Sequence, residues 1–194
     1  MSNDKYQNKY RIPSARAVWH DYNDGTYFIT VCTHGREHYF GEITNGGNGE
    51  LTMKLSEIGK MAEECIVKME TLHNDITVPI WVVMPNHIHL IVIVESNSVE
   101  TPHCDVSTTD NTKNEKMQEI ANSCGRLSHI VSRFKTAVTK YARENDIPFA
   151  WQTRFHDHIV RNTDELNRIA DYIENNVVRW ADDEFYDEKQ CKSS

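Results

Sequence analysis

The stretch "MPNHIHLIVIV", Met84 to Val94, joins a turn signal to an apolar run that begins with two histidines. The preceding run, "ITVPIWVVM" (76–84), has the β-branched and aromatic composition of a strand, and Pro85-Asn86 interrupts it. Two strand-like runs separated by so short an interruption therefore predict a tight antiparallel hairpin.

The two histidines of this hairpin are predicted to share one face of their strand. Side chains alternate along a strand, so His87 and His89 point the same way, about 6–7 Å apart along the chain. Both imidazoles can then reach one small ion, and imidazole is a common ligand of Zn, Mn, Fe, Co, Ni and Cu. Surface or hydrogen-bonded histidines at the start of a strand give the same pattern, and on the residues alone both interpretations stay open.

The sequence before the hairpin predicts strands and one helix. "GTYFITVCTH" (25–34) is typical of a strand, and "ITNGGNGELTMKL" (43–55) indicates a hairpin closed by Asn-Gly turn signals. From Ser56 to Leu72 the apolar residues follow helical spacing, and Ser56 is a suitable N-cap.

The sequence after the hairpin predicts two helices separated by a strand. Ile120 to Asn145 has helical spacing, "FHDHIVR" (155–161) favours a strand, and "NTDELNRIADYIENNVV" (162–178) favours a helix. Asn162 and Glu165 resemble a capping box at the start of that last helix. The resulting order is typical of an α+β fold with a ferredoxin-like, split βαβ antiparallel sheet, packed on helices at one face and able to stay open at the other.

Composition and length predict one domain over residues 25–180, with a polar N-terminal arm (1–24) and an acidic C-terminal tail (181–194). Residues 95–118 are polar and aperiodic, which predicts a flexible insertion. No apolar run is long enough for a membrane helix, and the N-terminus lacks the apolar core of a signal peptide. Five scattered cysteines without C-x-x-C suit a reducing cytoplasm, so we expect a cytoplasmic protein without membrane contact.

The charge is unevenly distributed along the chain. The formal net charge is −8, yet residues 126–161 hold seven basic and three acidic residues, a net charge of +4, whereas residues 162–194 hold four basic and nine acidic ones. Electrostatic attraction is local on the scale of a Debye length. The acidic total therefore does not exclude a nucleic-acid partner.

Three blocks of the sequence resemble the single-tyrosine HUH transposases, most nearly their REP-associated and insertion-sequence-like branch. They occur along this chain in the same order as in the family. "WVVMPNHIHLIV" (81–92) is similar to the family's His–hydrophobic–His motif. "AWQTRFHDHIVRNTDELNRIADYIENN" (150–176) resembles its second signature, and "YFITVCTHGREHYFGEI" (27–43) its first strand and the following segment. The resemblance covers most of residues 10–180.

This resemblance implies an HUH-nuclease-type fold and a divalent-metal-dependent enzyme, with Mg or Mn as cofactor. It would cleave and rejoin single-stranded DNA near a hairpin through a 5′-phosphotyrosine intermediate, with single-stranded or hairpin DNA as partner. Tyr172 would be the nucleophile, His87, His89 and Asn176 the metal ligands, and His158 a supporting active-site residue. A phenol is a weak nucleophile at neutral pH, so it needs a cation at the phosphate.

Tyr172 and Asn176 lie four residues apart on the predicted last helix, hence on one flank of its apolar stripe. Without the resemblance, the residues alone favour a packing role for Tyr172 and a helix C-cap role for Asn176. Tyr141 competes as a nucleophile, since it lies on the basic helix. Other tyrosines have no associated motif: Tyr27, Tyr39 and Tyr186.

DNA contacts are expected from the basic segment and its neighbours. The candidates are Arg133, Lys135, Lys140, Arg143, Trp151, Arg154 and Arg161. The alternative interpretation of these residues is a solvated helix face.

The acidic net charge and the absence of Asn-Pro after the last helix depart from the family. These departures keep two alternative functions open: a non-catalytic or domesticated binder of structured DNA, and a small metallohydrolase. A single motif tyrosine leaves a homodimer and a monomer both open.

Overall fold

A computed structural model describes residues 5–6, 9–10, 24–46, 49–95 and 125–186. Most of the predicted arm, most of the predicted insertion, the first residues of the predicted second helix and the last eight residues lie outside the described residues.

Eight strands and three α-helices occur in the described part of the chain. In chain order they are β1 Lys5–Tyr6, β2 Lys9–Tyr10, β3 Gly25–Cys32, β4 Gly41–Asn45, β5 Leu51–Leu55, α1 Glu57–Leu72, β6 Ile76–Val83, β7 His87–Val94, α2 Gly125–Glu144, β8 His156–Val160 and α3 Thr163–Glu174. Short 3-10 turns lie at His34–Arg36 and Trp180–Asp182. None of these helices combines the length and the apolar character needed to cross a membrane.

The main sheet has the strand order β6-β7-β3-β8, and every neighbouring pair is antiparallel. Helices α1 and α2 connect β3 to β6 and β7 to β8, which gives the ferredoxin-like split βαβ topology predicted from the sequence. The strands β4 and β5 form a separate hairpin, as do β1 and β2. The predicted α+β class and its ferredoxin-like fold are confirmed.

The hydrophobic core lies between one face of this sheet and the helices α1 and α2. Alternate residues of β3 and β7 direct apolar side chains into this core. Ile29 and Ile88, for example, are fully buried there. Arg126, near the start of α2, donates two hydrogen bonds of 2.6 Å to Asp75, just before β6. The pair fixes the start of α2 against the sheet.

The other face of the sheet is partly covered rather than open. Helix α3 contacts β6 and β7 on this face. Its N-cap is Asn162, whose Oδ1 accepts a 2.9 Å hydrogen bond from Glu165 N, while Glu165 Oε2 accepts from Arg161 N at 2.8 Å. Helix α3 therefore begins where the sequence predicts and lies over the histidine-bearing face.

The edge strand β6 is interrupted by a bulge. Its pairing with β7 shifts register between Thr77 and Ile80, around Val78 and Pro79. Proline has no N–H for a ladder, and the Val78 N–H donates instead to Glu70 Oε1 of α1, at 2.6 Å. The bulge thus satisfies its backbone donor without another strand.

Helix α1 begins in close contact with the segment before β4. Ser56 Oγ accepts a hydrogen bond from Gly59 N at 3.1 Å and donates one to Tyr39 O at 2.6 Å. A Cβ on Gly59 would stand 2.2 Å from Phe40 O, so only glycine allows this approach.

We expect Gly59→Ala to destabilise the protein by about 2 kcal/mol, because the methyl group forces α1 away from residues 39–40. The expected change in stability is opposite to the usual effect of glycine-to-alanine replacement, since alanine normally stabilises a helix interior by about 1 kcal/mol over glycine. Urea unfolding monitored by circular dichroism measures the change. Lys60→Ala, at the exposed next position, is the matched control and should stay within about 0.5 kcal/mol. A stabilised Gly59→Ala protein would contradict the packing.

Candidate metal and nucleophile site

The two histidines lie side by side and buried on the face of β7 that α3 covers. His87 is 0% and His89 2% exposed, and their ring centroids are 4.4 Å apart. His87 Nδ1 lies 2.8 Å from Asn86 Oδ1, and His89 Nδ1 lies 2.9 Å from Thr30 Oγ1. Both rings are therefore oriented by hydrogen bonds at the same nitrogen.

The tautomer of His87 follows from its neighbour. Asn86 Nδ2 donates to Phe185 O at 2.8 Å, so Asn86 Oδ1 faces the ring and His87 Nδ1 must donate to it. The lone pair of His87 then sits on Nε2, a buried atom with no hydrogen-bond partner in the described residues. An imidazole that donates from Nδ1 and presents the lone pair of Nε2 has the arrangement of a metal ligand.

Burial lowers the pKa of both histidines. The pKa of His87 lies well below its ordinary value, chiefly because the ring is desolvated and secondarily because His89 is adjacent. Burial also lowers the pKa of His89 to about 4, and the Asp183 carboxylate offsets this only in part. Both rings are neutral at pH 7, which is the form that binds a metal ion.

Tyr172 projects from α3 onto the histidine pair. Its hydroxyl oxygen lies 3.2 Å from His89 Nε2 and donates a 2.9 Å hydrogen bond to Asp183 Oδ2. The ring is half-buried, and its desolvation together with the nearby Asp183 charge raises the phenol pKa well above its ordinary value. Of the competing tyrosines, Tyr27 is buried in the helix-facing core and Tyr141 packs against that core.

Asn176 also reaches the site, although it lies beyond the helix predicted to carry it. Helix α3 ends at Glu174 and Asn175 is its C-cap, so Asn176 is held by the following turn, with its N–H donating to Ile173 O. The side chain is 1% exposed and its Nδ2 donates to Asp183 Oδ2 at 2.9 Å. It is near enough to His87 to raise the pKa of that ring, but Asn176 Oδ1 is buried without a well-formed hydrogen bond.

Asp183 is a site residue that the sequence analysis missed. It can offer a ligand atom within 4.8 Å of those of His87 and His89. Two imidazole nitrogens, an amide oxygen from Asn176 and a carboxylate oxygen form a mixed set that suits a divalent cation such as Mn or Mg. Cys32 pairs opposite His87, but burial raises its thiol pKa to about 11, so it supplies no thiolate at neutral pH. His87 Nε2 and Asn176 Oδ1 are buried acceptor atoms without a hydrogen-bond partner among the described residues, so the residues fit a metal ion.

The position of Asp183 depends on aromatic residues of the following and preceding turns. Trp180 and Phe185 are buried, and the Phe185 ring centroid lies 4.5 Å from that of His87. The chain stays docked beyond the predicted boundary at residue 180, as far as Tyr186, which packs against Trp180. The sequence signal was available in "RWADDEFY" (179–186), where large aromatics interrupt an acidic run.

His158 lies on the same face of the sheet as the site. It pairs with Phe28, and the neighbouring Thr30 bonds His89, so β8 is two strands away from the histidine pair. Its Nε2 lies 2.8 Å from Glu165 Oε1 at an exposed position. The supporting role assigned to His158 stays a prediction.

The predicted DNA-binding residues are spread over two sides of the domain. Arg133 and Lys140 line a cleft between α1 and α2, on the face of the sheet opposite the histidine pair. Lys135 donates to Gln152 O at 2.6 Å, and Trp151 Nε1 donates to Lys135 O at 3.1 Å. Three further candidates are exposed: Arg143, Arg154 and Arg161. Their contact with DNA stays a prediction.

Comparisons with known proteins gave a relative in sequence and several similar solved structures. No protein-family profile matches the chain. An uncharacterized protein of Haemophilus influenzae (strain ATCC 51907 / DSM 11121 / KW20 / Rd) is 30% identical over 166 residues, which cover 84% of this chain and 86% of that protein. A REP-associated tyrosine transposase bound to a REP hairpin is similar over 86% of this chain and 74% of its own, at 20% identity and a TM-score of 0.49. A candidate transposase of Deinococcus radiodurans R1 is similar over 82% and 95%, at 14% identity and a TM-score of 0.35.

Fold and site together define a ferredoxin-like domain with a His–His–Asp cluster beside a tyrosine. At 30% identity over most of both proteins, the chain belongs to the same family as the Haemophilus influenzae protein.

The buried neutral histidines make stability depend on pH. In the unfolded chain a histidine takes up its proton near the ordinary pKa of 6.5, whereas folded His89 does so near 4. The unfolded state therefore binds more protons below pH 6.5, and stability falls as the pH falls. We expect His89 alone to account for about 2 kcal/mol of the loss between pH 7 and pH 5. Urea unfolding of the metal-free protein at both pH values should show a clearly smaller loss in His89→Asn, and equal losses would contradict the neutral, buried ring.

Proposed function

We propose that the protein is a divalent-metal-dependent transesterase that cleaves and rejoins single-stranded DNA near a hairpin, through a 5′-phosphotyrosine intermediate. The observation that carries the proposal is the 3.2 Å distance between the Tyr172 hydroxyl oxygen and His89 Nε2. The site brings together a nucleophile and metal-ligand atoms from distant parts of the sequence, which is the arrangement that such a reaction requires. The motif resemblance noted from the sequence points to the same chemistry.

In the proposed step, Tyr172 Oη attacks a DNA phosphorus. An O–P bond to the tyrosine forms, the P–O3′ bond breaks, the phenol loses its proton, and the departing 3′ oxygen gains one. Asp183 Oδ2 already accepts the hydrogen bond of the phenol, so it is placed to receive that proton. Rejoining is the reverse reaction, with a 3′-OH attacking the phosphotyrosine.

The residues proposed to hold the cation are His87 and His89 through Nε2, Asn176 through Oδ1, and Asp183 through its carboxylate. The bound cation would supply the positive charge that neutralises the scissile phosphate. Asn86 and Thr30 orient the two rings from behind, at the nitrogens that face away from the ion.

The second candidate function is a module that binds structured DNA without cleaving it. The observation that favours this alternative is the environment of the Tyr172 hydroxyl, where burial and the Asp183 carboxylate both raise the phenol pKa. A raised pKa disfavours the phenolate, which is the stronger nucleophile. An assay for a covalent adduct between the protein and DNA separates the two candidates.

We expect the protein to form a covalent adduct with a hairpin oligonucleotide carrying single-stranded flanks, in the presence of Mn²⁺ or Mg²⁺. Denaturing gel electrophoresis of end-labelled DNA detects the adduct. Tyr172→Phe should abolish it, because phenylalanine has no oxygen to attack phosphorus, whereas Tyr141→Phe is the control and should keep it. Hairpin binding without an adduct would favour the non-catalytic module. Cleavage that survives Tyr172→Phe but is lost in His87→Ala would favour a metallohydrolase.

Metal binding is expected to stabilise the fold. A cation at 100 times its dissociation constant adds about 2.7 kcal/mol, which raises the melting temperature by several degrees for a chain of this length. Differential scanning calorimetry with and without Mn²⁺ measures the shift. His87→Ala should remove most of it and Asp183→Asn part of it, whereas His129→Gln, on α2, should leave it unchanged. An undiminished shift in His87→Ala would place the ion elsewhere.

A further inference from the structure

A cavity of about 410 Å³ opens beside the candidate site, between β3, the edge strand β8 and the segment after α3. This volume is within the range of about 300–1,000 Å³ that small-ligand sites occupy. Two of its lining residues also contact the site. The Phe28 ring lies 5.1 Å from that of His89 and 6.2 Å, edge-on, from that of Tyr172, while Thr30 bonds His89. A molecule in this cavity would lie next to the attacked phosphorus.

The aromatic part of the lining is suited to an unpaired base. Phe28 is partly exposed in the middle of the sheet face, and Phe185 forms part of the opposite wall. A base stacked on an aromatic side chain gains about 1–3 kcal/mol whatever its identity. Phe28 therefore offers a stacking surface beside the proposed nucleophile.

The basic part of the lining comes from a turn with unusual backbone geometry. Gly35 and Arg36 both have positive φ, 64° and 60°, and a non-glycine residue in this region is uncommon. The turn directs the Arg36 guanidinium to the cavity, 5.1 Å from the Phe185 ring centroid and within 2.9 Å of Glu184 O, to which it donates. Such strain concentrates at functional sites, and the guanidinium is placed to pair with a phosphate.

The remaining lining limits what the cavity can hold. Glu184 adds an acidic residue beside Arg36, which opposes a run of phosphates. Its carboxylate can accept hydrogen bonds from the exocyclic amino group of a base. His156 and His158 offer further polar atoms at the β8 side. This mixture suits one base and its own phosphate rather than an extended polyanion.

We propose that this cavity binds the unpaired nucleotide next to the scissile phosphate, with its base stacked on Phe28 and its phosphate paired with Arg36. The inference rests on the single-stranded DNA substrate proposed above. It adds a base-binding position to a site whose chemistry needs only the phosphate.

The test uses full-length protein carrying Tyr172→Phe, so that binding is measured without cleavage. Single-stranded oligonucleotides carry 2-aminopurine at successive positions, and stacking quenches its fluorescence. We expect one position to be strongly quenched, and Phe28→Ala to remove that quenching and weaken binding about tenfold. Phe28→Leu keeps the apolar volume and should also lose the quenching, whereas Phe28→Tyr should keep it. Arg36→Gln should weaken binding and lower its salt dependence, with Lys60→Gln on α1 as the control that changes neither.

The outcomes separate this inference from the proposed reaction. Uniform fluorescence along the oligonucleotide, or quenching that persists in Phe28→Ala, overturns the base site, even if the wild-type protein forms the covalent adduct. A Phe28-dependent quenched position supports the base site, even if the wild-type protein forms no adduct and the transesterase proposal fails. Absence of any binding to single-stranded DNA overturns both.

Discussion

Two uncharged imidazoles buried side by side on one strand are the constraint on which the rest of the site depends. Taking two ionisable rings out of water is tolerable only if each is neutral and hydrogen-bonded. Asn86 and Thr30 meet this requirement at Nδ1, and both rings then present Nε2 toward α3. Polar rather than apolar side chains face these nitrogens: Tyr172 of α3 lies 3.2 Å from His89 Nε2, and Asn176, in the turn after α3, lies near His87.

Asp183 sets the electrostatic state of this cluster. One carboxylate oxygen accepts from both Tyr172 and Asn176, and the other accepts from the Phe185 N–H. Burial and, after it, the Asp183 charge raise the pKa of the Tyr172 phenol, whose hydroxyl donates to Asp183 Oδ2. A divalent cation held there, as proposed, would have the opposite effect on the phenol pKa, because a bound ion is the largest local charge. The ionisation of the phenol would then depend on whether the cation is bound.

Local patterns in the sequence were sufficient for the fold and for half of the site. Alternation placed His87 and His89 on one face, and helical spacing brought Tyr172 to the flank of α3, because both depend on the geometry of a single element. Asp183 could not be found this way. It lies in a non-periodic turn whose position is set by burial of Trp180 and Phe185 against distant strands, and acidic composition masked that packing. Asn176 was found with the wrong local structure, since the end of a helix depends on capping as well as on periodicity.

The bulge in β6 has a consequence for how this domain can associate. Another chain can extend a sheet by pairing with an exposed edge strand. In β6, however, Pro79 has no N–H to donate, and the Val78 N–H already donates to Glu70. Among the described strands the opposite edge of the sheet is β8, where His156 and His158 border the cavity beside Tyr172. A neighbour that paired with this strand would stand at the rim of that cavity, so self-association through the sheet and access of a ligand to the cavity are linked by geometry.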